Sequence, residues 1–129
     1  MPDDTIWEEF EGNHRLKVVA FYNIFAEGNH FRDILNDQVN RLKETGLVDK
    51  LDMIYYTTMG SQGSTLNLPG EKFKHIKHFS GDAYEVDTLS ILYGFCNRNP
   101  GSKVLYFHDK GSYHYNGENI VLRPGLLRH

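Results

Sequence analysis

The sequence contains one cysteine, Cys96, in 129 residues. A single thiol excludes an internal disulfide and a thiolate-built zinc site. It lies in an apolar helical segment and reads as a buried, inert side chain. Neither sign of charge dominates: 14 Lys and Arg stand against 17 Asp and Glu, a formal net charge of −3. Nucleic-acid binders that work through phosphate contacts are usually basic, and the cations here are scattered apart from Lys72, Lys74 and Lys77. No nucleic-acid partner is expected. Long hydrophobic runs are missing too; the longest are strand-sized, well short of the roughly 20 residues that span a bilayer, so no membrane span is expected. The chain opens Met1-Pro2-Asp3-Asp4-Thr5 and continues with Glu8, Glu9 and Glu11. A secretory signal would open basic and then turn apolar. The expectation is a cytoplasmic protein, or one in an organelle lumen if a transit peptide has been removed. Several catalytic signatures are absent: the Gly-x-Ser-x-Gly elbow, the Gly-Lys-Ser/Thr ending that would make residues 60–64 a P-loop, and a Gly-x-Gly-x-x-Gly run after Gly28.

What is present suffices for one domain. Hydrophobic residues make up 40% of the chain and aromatics 13%, enough to build a core. Residues 1–16 are polar with isolated aromatics, Trp7 and Phe10, and read as an N-terminal leader packed loosely on a single α/β domain at 17–129. Residues 17–25 form a continuous apolar run, the pattern of a strand buried on both faces. Phe31, Ile34, Leu35, Val39 and Leu42 recur at helical spacing up to Gly46. Residues 51–58 read as a second strand, parallel to the first through a βαβ unit. A Gly- and Ser-rich loop at 59–70 leads to a third, edge-like strand at 72–79. There His75 and His78 would point to opposite faces, which removes a shared metal site. Asp82-Ala83-Tyr84-Glu85 resembles a capping box for a helix through Val86, Leu89, Leu92, Tyr93 and Cys96. Residues 103–107 form the next strand, and residues 118–123 suggest a short helix stopped by Pro124-Gly125. The predicted fold class is α/β: a mostly parallel, Rossmann-like sheet of about four strands flanked by helices.

Ligands of such sheets bind beyond the carboxyl ends of the strands, where the strand order reverses. Two ends carry suitable groups. The first strand delivers Tyr22, Asn23 and Glu27; the last delivers His108, Asp109, Lys110, Gly111, Ser112 and His114. Asp109 is of the type that ligates a hard divalent cation. Lys110 can neutralise phosphate, and Gly111 lets a ligand approach the backbone. The alternative is an ordinary tight turn in which Asp109 and Gly111 serve turn geometry.

Lys103-Val104-Leu105-Tyr106-Phe107-His108-Asp109-Lys110 resembles the K-V-L-Y-L-D-x-D strand of GT-A glycosyltransferases. The order of elements resembles the nucleotide-binding N-terminal half of that fold. Residues 106–114 also resemble uncharacterised glycosyltransferase-like proteins with a Tyr-x-His-x-Lys-Gly signature. The resemblance spans roughly residues 17–123. It implies binding of a nucleotide-diphospho-sugar, with Tyr22, Asn23 and Glu27 on the nucleoside. His108, Asp109 and Lys110 would meet the diphosphate, with Gly111, Ser112 and His114 in the same cluster, and Mg²⁺ or Mn²⁺ would sit on Asp109. His108-Asp109-Lys110 keeps one carboxylate of the D-x-D pattern. The chain ends soon after the motif, the expectation for a fragment or a binding domain without turnover. The competing class is a non-catalytic interaction module or a subunit of a larger assembly. A missing second half would leave apolar surface uncovered, which favours a homo-oligomer.

Overall fold

The computed structural model describes residues 4–12, 15–80, 85–108 and 120–122. The element order is α1 (Asp4–Glu11), β1 (Val18–Phe25), α2 (Phe31–Glu44), α3 (Leu47–Lys50), β2 (Met53–Met59), β3 (Phe73–Phe79), α4 (Glu85–Arg98), β4 (Lys103–His108) and β5 (Ile120–Leu122). The sheet order is β3-β2-β1-β4-β5. Strands β1 to β4 are all parallel, and β5 adds a short antiparallel edge on β4. This is the Rossmann-like α/β arrangement expected from the alternation of buried strands and amphipathic helices. No helix among the described residues is long and apolar enough to cross a membrane.

Both faces of the sheet are covered, which is why β1 reads as an unbroken apolar run. On one face α1 and α4 pack Ile6, Phe10, Ile91, Leu92 and Phe95 onto Phe21, Tyr55, Val104 and Tyr106. On the other, Leu35 and Val39 of α2 cover Ala20, Tyr22, Ile24, Ile54 and Tyr56, joined by Leu68 from the loop after β2.

Three details depart from the sequence expectations, and a fourth, the direction of β3, is left open by the sequence. The N-terminal segment is no loose leader: α1 puts Phe10 in the core with no exposed surface. There its ring meets Phe21, Tyr55 and Phe95 at centroid distances of 5.9, 5.2 and 5.1 Å. Residues 120–122 form strand β5, not part of a helix. Ile120, Val121 and Leu122 include two β-branched side chains, which suit a pleated edge better than a helix. Strand β3 is parallel to β2, so the chain crosses back without a helix. The connecting loop does the covering itself: the Tyr56 hydroxyl donates to the Leu66 carbonyl and accepts from the Leu68 amide. Finally, Tyr56 pairs with His75 but Thr57 pairs with Lys77, so Ile76 is an extra residue in a β-bulge. The capping box proposed around Asp82 lies outside the described residues.

The amino end of β1 is held by Asp52, whose Oδ2 accepts from the amides of Lys17 and Val18 at 2.8 and 2.9 Å. Those two backbone bonds hold its carboxyl below the ordinary aspartate value of 3.8. A depressed folded-state pKa stabilises above the unfolded value, and that contribution is lost as pH falls through the folded one. Asp52→Ala should therefore cost about 1 kcal/mol near neutrality, a figure reduced for solvent screening. Urea unfolding should show the deficit shrinking in acid; an equal deficit at both ends of the range would mean that the loss is not electrostatic.

Candidate functional site

The strand order reverses between β1 and β4. The chain leaves β1 toward β2 and β3, then returns through α4 to β4 on the other side. Adjacent carboxyl ends at such a reversal splay their connections to opposite faces and leave a crevice. Asn23 and His108 are direct register partners there. The two polar strand ends singled out in the sequence are thus neighbours.

The side chains of β1 divide between faces. Tyr22 is buried under α2, with its hydroxyl bonded to Gln38 Oε1 and its ring against Phe107 at 6.4 Å. It supports the floor of the crevice from the core instead of reaching a ligand directly. Asn23 faces α4 and is 3% exposed. Its Oδ1 accepts from Thr57 Oγ1 at 3.1 Å and Thr88 Oγ1 at 3.2 Å, and the two hydroxyls are 2.8 Å apart. Its Nδ2 group has no hydrogen-bond partner among the described residues. A buried amide donor without a partner costs on the order of 1–3 kcal/mol.

Glu27 is already engaged. Its Oε2 and Oε1 accept from the Ser61 amide at 2.8 Å and the Ser61 hydroxyl at 2.7 Å, while Gln62 Nε2 donates to the Gly28 carbonyl. The 60–64 turn is therefore latched to the end of β1. Gly60 permits the latch: a Cβ there would meet the Ala26 carbonyl oxygen at 2.8 Å and Glu27 Cγ at 2.7 Å. With both its oxygens on Ser61, Glu27 does not fit the role of a second metal carboxylate. Among the described residues no group of three or more His, Cys, Asp or Glu could hold a metal. His108 is the last residue of β4; Asp109, Lys110, Gly111, Ser112 and His114 lie outside the described residues.

A second polar group at this end of the sheet was not foreseen. The bulge at Ile76 brings His75 and His78 to one face, correcting the expectation that they point apart. Both bond to the buried Thr58 hydroxyl, His75 through Nε2 at 2.9 Å and His78 through Nδ1 at 2.7 Å. His75 Nδ1 faces the Leu66 carbonyl at 3.1 Å, and its ring stacks on Tyr56 at 4.8 Å. Burial pushes the His75 pKa down, keeping the ring neutral. Ring nitrogens that converge on one hydroxyl are spent on it, so this pair still offers no two-histidine metal site. Cys96 behaves as expected: burial pushes its thiol up to about 12.

A cavity of about 180 Å³ opens at the opposite, amino end of the sheet between Leu16, Arg98 and Gly101. Its polar groups are occupied by structure. Asn99 Nδ2 donates to the Phe10 and Phe95 carbonyls, Ser102 Oγ donates to the Leu16 carbonyl, and Arg98 bonds Glu11 and covers the Trp7 ring. The carboxyl end is the better candidate.

No curated protein and no solved structure matches the chain. One family model does, over residues 21–129, from the middle of β1 past β5. The chain belongs to the family described as Domain of unknown function (DUF8361).

Proposed function

We propose that this domain binds a nucleotide-diphospho-sugar in the crevice between the ends of β1 and β4, as a glycosyltransferase-like donor site. The observation that carries the reading is the register pairing of Asn23 with His108 at the reversal of strand order, the position where parallel α/β sheets take nucleotides. The unpartnered Asn23 Nδ2 adds a buried donor for a base or ribose acceptor atom. Glu27 contributes by latching the 60–64 turn over this end, and Tyr22 by supporting β1 from below. Asp109 and Lys110 follow His108 directly in sequence. Lys110 supplies cationic charge to the diphosphate, and Asp109 is the one carboxylate left for Mg²⁺ or Mn²⁺.

Calorimetric titration with UDP-, GDP- and CMP-sugars, each with and without Mn²⁺, tests the proposal. One donor class should bind, and Lys110→Ala should weaken it roughly 10- to 100-fold, the value of a charge-assisted hydrogen bond. Absence of binding by every donor at millimolar concentration would overturn it.

A further inference from the structure

A carboxamide has one end that only accepts and one that only donates. The two ends have nearly the same shape, so the partners decide which way the group turns. Around Asn23 those partners are the hydroxyls of Thr57 and Thr88, both without exposed surface. Each hydroxyl has one proton to give. With Oδ1 turned to them, at 3.1 and 3.2 Å, both protons have an acceptor. Turned round, the amino group would give its own protons to the two hydroxyl oxygens. One hydroxyl could then pass its proton to the other, 2.8 Å away. The second would have no acceptor within the cluster, and Oδ1 would have lost its donors. Unmade bonds of buried polar groups are costly, so the threonines set the polarity of the amide.

The sheet sets its aim. Thr57 is the register partner of Asn23 on β2, and His108 is its register partner on β4. Strand β1 runs between those two strands. Oδ1 is held on the β2 side of β1, against Thr57 and against Thr88 in the first turn of α4. Nδ2 is on the other branch of the planar carboxamide, so it turns away from β2 and toward the β4 side, where the strand order reverses. We propose that Thr57 and Thr88 are positioning residues, holding Asn23 so that it offers the crevice between β1 and β4 two N–H donors and no acceptor. The nucleoside atom received there is then an unprotonated oxygen or ring nitrogen. A ligand N–H or O–H in the same place would meet a donor and leave buried donors unpaired on both sides, the arrangement by which a hydrogen-bonding site rejects the wrong analogue. The identity of the ligand rests on the donor reading above; the orientation of the amide does not.

The test reads the amide directly in the full chain. Nuclear Overhauser spectra of protein carrying nitrogen-15 in its asparagine side chains should show the Asn23 Nδ2 protons with weak or no cross-peaks to the side chains of Thr57 and Thr88. Strong cross-peaks to both threonines would mean that the amide is turned round, and would overturn the proposal without any ligand or variant. Thr88→Val keeps the shape and removes one of the two hydroxyls; Thr88→Ser keeps the hydroxyl. The Thr88→Val protein should bind the nucleotide-sugar found by titration roughly 5- to 10-fold more weakly, the worth of one hydrogen bond, while Thr88→Ser stays within about twofold of wild type. Equal binding by wild type and a folded Thr88→Val protein would overturn the positioning role and leave the donor reading standing. If no donor binds, the donor reading falls and the Asn23 cross-peaks still decide the orientation, so the two proposals fail separately.

Discussion

Phe10→Ala should destabilise the domain by about 3–5 kcal/mol, the usual range for emptying a buried phenylalanine site. Its ring is fully enclosed and meets four aromatic partners edge-on, Trp7, Phe21, Tyr55 and Phe95. Those neighbours belong to α1, β1, β2 and α4, so no single element can move inward to fill the space. The helix is also tied at its polar edge. Glu9 takes Lys74 Nζ of β3 at 2.7 Å and the Tyr55 hydroxyl at 3.1 Å, and Glu11 takes Arg98 Nε of α4 at 3.2 Å. These partly exposed pairs are worth little individually; the ring is the main term. With a total stability of about 5–15 kcal/mol for a domain of ordinary size, the loss should lower Tm by on the order of 10 °C or more. Guanidinium unfolding followed by tryptophan fluorescence measures it, since Trp7 is the sole tryptophan and touches the same ring. A loss under about 1 kcal/mol would mean that α1 is only laid against the domain. The question matters because the family match begins at residue 21. A chain cut to that boundary would lack Ile6, Phe10 and Leu16, all core residues, and should unfold more readily than Phe10→Ala.

The six central elements were legible because each is written in one period. Continuous apolar runs gave β1, β2 and β4, and the 3.6-residue recurrence of Phe31, Leu35 and Val39 gave α2. Helix α1 was missed although Ile6 and Phe10 stand four apart, a spacing that puts both on one helical face; four acidic residues within Asp4–Glu11 masked it. The bulge in β3 had no signal at all. His75-Ile76-Lys77-His78 reads as simple alternation, and only pairing with Tyr56 and Thr57 places the extra residue. That one residue decides whether the two histidines are strangers or partners. It shows why a candidate site can be legible by position, as with Asn23 and His108, and illegible by chemistry, as with Thr58 and His78. Thr57, Thr58 and Thr88 look like ordinary strand and helix residues until burial makes their hydroxyl protons count.

Gly60→Ala should be a damaging small change at the carboxyl end of the sheet, costing about 3 kcal/mol. Two effects combine. Gly60 has φ +117, where an L side chain is strained by about 1–3 kcal/mol. Its new Cβ would also press on the Ala26 carbonyl oxygen at 2.8 Å, which is backbone and held by the Gln62 amide, adding an overpacking cost of about 1–3 kcal/mol. Gly28→Ala separates the two. Gly28 has φ +85 but nothing within 4 Å of an added Cβ, so only the backbone term applies and the cost should be about 1 kcal/mol. The difference between the variants in urea unfolding measures the close approach alone; equal losses would mean that the 60–64 turn yields freely. The consequence reaches past stability. The Gly60 amide donates to the Phe79 carbonyl at 3.1 Å, and the next residue, Ser61, holds Glu27. A shift at Gly60 therefore pulls on the end of β3 next to His78 and on the latch at β1 together. If the 60–64 turn supports the donor crevice, Gly60→Ala should weaken donor binding, while Gly28→Ala leaves it intact.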